Sequence, residues 1–385
     1  MNAVRLALLL GCAGSLLAAD PVAVVRVPNG GIKPSAAVDD AGALHLVYFK
    51  GDTTGGDAFY VTSRDGGATW STALRVNSQP RSVLGASSIR GPRLALGKAG
   101  RVHVAWNGSS IGTPKAPLNP AMPADSSFNG TPLLYTRLDD ARRAFEPQRN
   151  LMRTTCALDG GSDLAADREG RVFAVWHAQI PGAKGEGERG VFTAVSTDDG
   201  RTFFPEKNVL PEPTGVCACC ALNARAAPDG AVAILYRAAT ASVNRGMHLL
   251  VSHDHGATFS HTALDEWKLA TCPMSSASLI GAKTGFLGAW ENAGQIQFAN
   301  LAAAPTAAPG AGNARKYPVL AVNSRGETLL AWTEGMGWNI GGALAWQILD
   351  KTGAPQAASA RAGEVPANGN VAAVALPDGK FVILY

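Results

Sequence analysis

The stretch that decides the fold is Ser63-Arg64-Asp65-Gly66-Gly67-Ala68-Thr69-Trp70, because its pattern occurs twice more in the chain. The other copies are Ser196-Thr197-Asp198-Asp199-Gly200-Arg201-Thr202-Phe203 and Ser252-His253-Asp254-His255-Gly256-Ala257-Thr258-Phe259. The shared pattern, S-x-D-x-G-x-T followed by Trp or Phe, indicates a turn between two strands. The aspartate accepts backbone N–H bonds, the glycine supplies a positive φ, and the aromatic side chain packs inward. We therefore predict a structural role for Asp65, Asp198 and Asp254.

A second pattern occurs seven times: an apolar strand, a D-x-x-G-like turn, and a second apolar strand that closes on an aromatic residue. The closing aromatic residues are Tyr48, Trp106, Trp176, Tyr236, Trp290, Trp332 and Tyr385. Repeats of about 40–70 residues with several short strands each are typical of a β-propeller. The last repeat has only two strands, so we expect residues 22–27 to complete that blade and close the ring, which removes exposed sheet edges.

The eight-residue pattern resembles the Asp box, also called the BNR repeat, of the sialidase superfamily. Cys217-Ala218-Cys219-Cys220 and Cys272-Pro273-Met274 resemble sequences in exported bacterial BNR proteins that are uncharacterised. The resemblance implies an all-β propeller of four-stranded blades. The repeats count seven blades whereas sialidases have six, and both numbers stay open at this point. Residues 20–385 are expected to form one domain.

Composition and charge narrow the function. The chain has 46% hydrophobic and 17% charged residues, as in an ordinary globular protein. The net charge of +4 is spread without a basic run, so the sequence does not indicate nucleic-acid binding. Beyond the N-terminal segment, no stretch approaches the length of a membrane helix. We expect a monomer without a cofactor.

Residues 1–19 have the pattern of an export signal, with Arg5 before an apolar run and small residues before Asp20. An alternative interpretation takes Leu9-Leu10-Gly11-Cys12 as a lipoprotein box, with the chain anchored through an acylated Cys12. Both interpretations predict that the mature protein leaves the cytoplasm and is secreted, periplasmic or lipid-anchored.

Propeller topology predicts which polar residues share a face. Neighbouring strands of a blade run antiparallel, so the D-x-x-G turns and the Asp boxes lie on one face. Residues before each first strand or after each second strand lie on the other face, where loops carry ligand sites. The candidates there are Lys33, Asp52, Arg225, Arg245, Glu291, Arg315, Tyr317 and Glu334.

The resemblance to sialidases implies roles for these residues. Sialidases use a tyrosine nucleophile with a glutamate partner, an acid/base aspartate and three arginines that hold the substrate carboxylate. This implies Tyr317 as nucleophile, Glu334 as its partner and Asp52 as acid/base. The implied substrate contacts are Arg225, Arg315, Arg245, Lys33 and Glu291.

One departure keeps two functions open. The family begins its first inner strand with Arg-Ile-Pro, whereas this chain has Ile32-Lys33-Pro34. Lysine cannot make the bidentate fork of arginine. The sequence is therefore compatible with an exported glycosidase acting on an acidic glycan and with a non-catalytic propeller that binds carbohydrate or protein.

Five cysteines follow Cys12: Cys156, Cys217, Cys219, Cys220 and Cys272. All precede a first strand in the third, fourth or fifth repeat, so they are expected on neighbouring blades. For an exported chain we predict two disulfides with one thiol left over, and we expect Cys217, Cys219 or Cys220 to be joined to Cys272 or Cys156. The alternative is a soft-metal site for copper or zinc, to which Met274 or His177 would add a ligand.

Overall fold

The computed structural model describes residues 21–110, 131–180, 182–282, 285–310, 312, 314–356 and 360–385. The expected export signal at 1–19, including Cys12, lies outside the described residues. Among those described, no helix has the length and hydropathy needed to cross a bilayer.

Strands β2 to β25 form the first six blades in chain order, and blade 7 combines β26 and β27 with β1. Blade 1 has β2 (Ile32–Val38), β3 (Leu44–Asp52), β4 (Gly55–Ser63) and β5 (Leu74–Arg75). Blade 2 has β6 (Arg93–Leu96), β7 (Val102–Asn107), β8 (Leu133–Arg137) and β9 (Arg149–Asn150). Blade 3 has β10 (Asp163–Ala166), β11 (Val172–Ala178), β12 (Gly190–Ser196) and β13 (Lys207–Asn208).

The remaining blades follow the same order. Blade 4 has β14 (Asn223–Ala226), β15 (Val232–Arg237), β16 (Met247–Ser252) and β17 (Ser260–Ala263). Blade 5 has β18 (Ala277–Gly281), β19 (Phe286–Asn292), β20 (Gln295–Asn300) and β21 (Thr306–Ala307). Blade 6 has β22 (Arg315–Val322), β23 (Thr328–Glu334), β24 (Gly342–Leu349) and β25 (Ala360–Val365). Blade 7 has β26 (Ala372–Ala375), β27 (Phe381–Leu384) and β1 (Val22–Val25).

The described residues thus form seven sheets, six with four strands and one with three. The all-β propeller is confirmed, and the blade number is seven, not six. Blade 7 has three strands in the order β26-β27-β1, as expected from a last repeat of two strands that the N-terminal segment completes. In the part of the chain that the structure describes, helix is limited to short 3-10 turns at Pro28–Gly30, Lys98–Gly100 and Glu186–Glu188.

The N-terminal strand closes the ring as expected, but it runs parallel to β27. Val22 is opposite Phe381 and Val25 is opposite Leu384. Strand β2 begins at the end of the disc where β27 finishes. Because β1 directly precedes β2, β1 also has to finish at that end, and it therefore runs parallel to β27. The hydrogen bonds Val27 N–H to Tyr385 O (2.9 Å) and Tyr385 N–H to Val25 O (3.1 Å) extend this pairing.

The hydrophobic core lies between the blades. The closing aromatic residues at the ends of the second strands are almost fully buried in six repeats: Tyr48, Trp106, Trp176, Tyr236, Trp290 and Trp332. Each packs in a cluster with aliphatic side chains. Trp106 of blade 2, for example, shares a cluster with Val47 and Phe49 of blade 1. Sheet-on-sheet packing of this kind removes large aromatic surfaces from water, which is the main stabilising term of the fold.

The three Asp-box turns have the same hydrogen bonds. In each, the serine hydroxyl donates to the aspartate over 2.7 Å, and the threonine N–H donates to the same carboxylate over 2.8–2.9 Å. The serine Oγ also accepts the N–H of the glycine four positions on, over 2.7–2.9 Å. The bonds from Thr69 lower the pKa of Asp65 to about 2. Each turn is therefore held by one serine and one ionised aspartate.

We predict that Ser196→Ala lowers the free energy of unfolding by about 1–3 kcal/mol, because it leaves the Gly200 N–H without its buried acceptor. Chemical denaturation followed by fluorescence measures this. The control is Ser260→Ala, which removes an exposed hydroxyl and is expected to change stability by less than about 0.5 kcal/mol. Equal effects of the two substitutions would contradict the structural role of the box serine.

Candidate functional site

The loops that lead into the inner strands meet across the propeller axis, and we call this side of the disc the closed end. Ser88 N–H donates to Trp338 O (3.2 Å), Ala221 N–H to Ser275 O (3.1 Å), and Leu222 N–H to Gly161 O (3.3 Å). These bonds link loops of blades 2 and 6, 4 and 5, and 4 and 3. The mouth where ligand residues were expected is therefore covered by the chain itself.

Apolar and small residues complete this closure. Ile89, Ala221, Tyr317 and Met336 belong to one buried cluster. Gly161 allows the close approach, because a Cβ at that position would collide with the carbonyl oxygen of Ile89. Of the residues at this end, Trp338 keeps 47% of its surface exposed.

Tyr317 is part of the closed end and its hydroxyl is already bonded. The residue follows the start of β22, within a register shift between Lys316 and Val319, and has a φ of +52°. It is 2% exposed, and its hydroxyl donates to Met274 O over 2.9 Å. Burial, with a smaller effect of the Glu291 charge, raises the pKa of Tyr317. A nucleophile needs the opposite shift or an adjacent free base.

Glu334, the expected partner of Tyr317, is bound to other groups. Its Oε1 accepts from Arg315 Nε (3.2 Å) and Trp332 Nε1 (3.1 Å), and its Oε2 pairs with Arg361 (2.6 Å). The Arg315 guanidinium also stacks 4.7 Å from the Trp332 ring centre. Arg315 at the start of β22 and Glu334 at the end of β23 therefore form an ion pair, in which the two charges neutralise each other.

The negative charge of Glu291 contributes to the raised pKa of Tyr317. Glu291 is buried, its Oε1 is 3.8 Å from Lys316 Nζ, and burial raises its pKa. Lys316 in turn donates to Pro273 O over 2.6 Å. Sequence reasoning assigned Glu291 to substrate binding and gave no role to Lys316, which directly precedes Tyr317 in the chain.

Asp52 stands apart at the exposed tip of the β3–β4 hairpin. Its Oδ1 accepts from the Thr54 hydroxyl (2.7 Å) and the Thr54 N–H (2.8 Å), and these bonds lower its pKa. A general acid needs a pKa near the working pH. The hydrogen bonds of Asp52 favour the ionised form and a turn-capping role.

Two of the expected substrate cations are enclosed in the fold. Lys33 is fully buried, its ammonium donates to Ser87 O, and burial together with the nearby arginine charges lowers its pKa. Arg245 is 2% exposed and pairs with Glu186 over 2.6 Å. Neither side chain offers a free cation at the surface.

Arg225 is different because it faces the central channel. The seven inner strands line a cavity of about 460 Å³, and its lining reaches the last residues of the inner strands at the opposite end of the disc. Among the described residues of that lining, Arg93 and Arg225 are the charged ones. Their nearest counter-charge is Asp163, 3.6 Å from Arg225 Nη1. The channel therefore contains two guanidinium groups against one carboxylate.

Arg93 was missed by sequence reasoning, and it has a spare donor. Its Nε is buried and has no hydrogen-bond partner among the described residues. Burial, and to a smaller extent the Arg225 charge, lowers its pKa, while Asp163 opposes this. Arg93 opens an inner strand opposite Ala105, as Ser35 lies opposite Val47 in blade 1, and this position at the start of an inner strand was the signal that could have identified it.

The cysteines form a cluster at the closed end, between blades 4 and 5. Cys219 and Cys272 are joined by a disulfide, with their Cα atoms 6.5 Å apart, which confirms the expected staple between neighbouring blades. Of the described cysteines, Cys217, Cys220 and Cys156 are free and buried. Cys156 lies outside the cluster, where its thiol approaches Gln179 O at 3.6 Å. The expectation of a second disulfide does not hold here.

Comparisons with known proteins show the fold. No protein-family profile matches the chain, and no curated protein sequence matches it. A leech intramolecular trans-sialidase, solved with 2,7-anhydro-Neu5Ac, is similar with a TM-score of 0.51 and 13% identity, covering 80% of this chain and 65% of that one. A Penicillium chrysogenum α-L-arabinanase, solved with arabinobiose, is similar with a TM-score of 0.51 and 16% identity, and the match covers 85% of this chain and 95% of that one. A Dyadobacter fermentans protein of unknown function has a TM-score of 0.49 and 13% identity, and the match covers 94% of this chain and 95% of that one.

The two similarities with a TM-score of 0.51 show that the chain has a β-propeller fold of the kind found in these two proteins. It spans less than two-thirds of the leech enzyme's length, at 65%. At such identities the likeness extends to the fold and not to the chemistry.

Proposed function

We propose that this chain is an exported propeller that binds a small acidic ligand, an acidic sugar of the sialic-acid type, in its central channel without hydrolysing it. Arg225 and Arg93 hold the ligand carboxylate. The guanidinium group suits this role because it offers two parallel donors to a carboxylate.

The observation that carries the proposal is the charge of the channel. Two arginines are the charged residues among the described lining, which otherwise consists mainly of small and aliphatic side chains. One carboxylate, that of Asp163, lies 3.6 Å from Arg225 Nη1. Where burial lowers the effective dielectric, as it does around Arg93, a cation attracts an anion more strongly than it does in water. The cavity volume of about 460 Å³ is also within the range of small-molecule sites.

The binding function is favoured over hydrolysis by the state of the expected catalytic groups. The Tyr317 hydroxyl is buried and donates to Met274 O, Glu334 is paired with Arg315 and Arg361, and Asp52 caps an exposed turn. Catalysis requires these groups within hydrogen-bond reach of one substrate. Export is supported by the Cys219–Cys272 disulfide, since such bonds persist in oxidising compartments.

We predict that Arg225→Gln weakens binding of N-acetylneuraminic acid by about tenfold or more, because a hydrogen-bonded charge contributes about 1.5–3 kcal/mol. Isothermal titration calorimetry at low ionic strength measures the affinity. Arg168→Gln is the matched control, since Arg168 has an exposed side chain paired with Asp40 on the protein surface. Arg225→Lys retains the charge without the fork and is expected to recover part of the affinity.

Two results would overturn the channel site. One is equal affinity for N-acetylneuraminic acid and for neutral N-acetylglucosamine. The other is unchanged affinity in Arg225→Gln when the variant has the circular dichroism spectrum of the parent.

A second candidate function is an exported glycosidase of sialidase type, and the position of Glu291 favours it. This buried carboxylate has a raised pKa and acts on Tyr317, so it could take the role expected of Glu334. The ligand would then reach Tyr317 from the closed end, where the loops would have to part. Turnover of a fluorogenic sialoside by the wild type, lost in Tyr317→Phe, would support this function and overturn the non-hydrolytic one.

A further inference from the structure

Four sulfur atoms lie together at the closed end, at the boundary between blades 4 and 5. The Sγ atoms of Cys217, Cys219, Cys220 and Cys272 are all within 4.8 Å of one another. Cys217 Sγ lies 3.8 Å from both Cys219 Sγ and Cys272 Sγ, and 2.9 Å from Cys220 Sγ. The channel site described above uses none of these atoms.

The loop that carries three of these cysteines is fixed by bonds that do not involve sulfur. Cys217 N–H donates to Arg237 O over 3.0 Å, and Ala221 N–H donates to Ser275 O over 3.1 Å. Between them, Ala218 N–H donates to the Glu186 carboxylate over 2.7 Å. The sulfur positions are thus set by the backbone of two blades, so the arrangement does not depend on the disulfide alone.

Buried positive charge surrounds the cluster. Arg237 and Arg245 are each 2% exposed, and the Arg237 carbonyl accepts the Cys217 N–H over 3.0 Å. Arg245 Nη1 is buried without a hydrogen-bond partner among the described residues. A thiolate sulfur accepts hydrogen bonds, so a deprotonated cysteine would give this N–H group the partner that it lacks. The surroundings therefore suit sulfur atoms that carry negative charge.

We propose that these four cysteines form a redox-gated site for one soft d10 metal ion, Cu(I) or Zn²⁺, which binds when the Cys219–Cys272 bond is reduced. A donor set of four sulfurs selects soft ions. Tetrahedral zinc–thiolate bonds of about 2.3 Å place the sulfurs about 3.8 Å apart, which is the separation of Cys217 from Cys219 and from Cys272. The Cys217–Cys220 distance has to lengthen when the ion binds.

The reduction step has a defined balance. A dithiol reductant supplies two electrons and two protons, the S–S bond between Cys219 and Cys272 breaks, and two thiols form while the reductant leaves as its own disulfide. Metal binding then displaces the protons of the ligating thiols into solvent. The oxidised form retains Cys217 and Cys220 but lacks two of the four ligands.

His177 is not a member of this site. Its Nε2 lies 3.1 Å from Cys220 O, and its Nδ1 lies 3.0 Å from Arg189 Nη2. Both ring nitrogens are therefore engaged, and burial lowers its pKa. The site consists of sulfur ligands from the two loops.

The test uses the purified chain, reduced with a dithiol and desalted without oxygen, then loaded with Cu(I) or Zn²⁺ in separate arms. We expect one ion per chain by elemental analysis, protection of the four thiols from a thiol reagent, and a higher melting temperature of the metal-loaded reduced protein. Cys217→Ser and Cys220→Ser are expected to lose at least about tenfold in affinity in a chelator competition. Cys156→Ser is the matched control, since it removes a buried cysteine outside the cluster.

The proposal fails if the reduced wild type retains no ion above the background of the oxidised protein. It also fails if Cys217→Ser and Cys220→Ser bind as tightly as Cys156→Ser. Where a cluster variant does not fold, thiol protection in the reduced wild type decides: four thiols that react equally fast with and without metal would overturn the site.

Discussion

Deletion of residues 21–27 is expected to lower the melting temperature sharply and to convert the protein into oligomers. The segment contains β1, whose Val22, together with Val27, is almost fully buried. Burial of these two side chains contributes about 3–6 kcal/mol. The deletion also leaves the outer edge of β27 unpaired, and exposed edges recruit other chains. Differential scanning calorimetry and light scattering measure the two effects.

The control for this deletion is Ala23→Lys. Ala23 lies in β1 with an exposed side chain, so the substitution keeps the strand and adds a solvated charge. We expect stability and size like those of the parent. A deletion variant as stable and as small as the parent would contradict closure of the ring by β1.

Removal of the disulfide is the second large effect. The double variant Cys219→Ser, Cys272→Ser is expected to lose about 4 kcal/mol of unfolding free energy in the chain-entropy description, given the separation of 53 residues. The bond joins the loops that precede the inner strands of blades 4 and 5, so its loss also loosens the closed end. Urea denaturation under non-reducing conditions measures the change.

Cys156→Ser again serves as the control, because it removes a buried sulfur without breaking a covalent link. It is expected to lose less stability than the double variant. If reduction of the wild type by a dithiol left the urea midpoint unchanged, the disulfide could not be the staple that we describe.

The architecture follows from local patterns that act within a few residues. The D-x-x-G turns and the serine–aspartate turns each satisfy their own backbone groups, so their number in the sequence predicts the number of hairpins and hence of blades. The direction of β1 is not a local property. The direction of β1 is set by the end of the disc at which β2 begins, with Ile32. This end is known only once the ring of blades is closed.

The site was harder to predict because side-chain pairing depends on register. Arg315 and Glu334 are directly opposite each other in the β22–β23 pair, where opposite charges neutralise each other. A register shift between Lys316 and Val319 places Tyr317 in the closed end. Arg93 and Arg225 come from different blades, so their approach is visible only once the channel is formed. The cysteines were predictable as neighbours because the order of the blades is the order of the chain.

The most direct test of the central claim, binding without hydrolysis, is one NMR experiment on the wild-type protein with 3'-sialyllactose. Saturation-transfer difference signals report contact with the sugar, and the spectrum of the same sample reports any released sialic acid. We predict transfer to the sialic acid residue, reduced in Arg225→Gln, with the trisaccharide intact after prolonged incubation. Appearance of free or anhydro sialic acid, or absence of any transfer, would contradict the account.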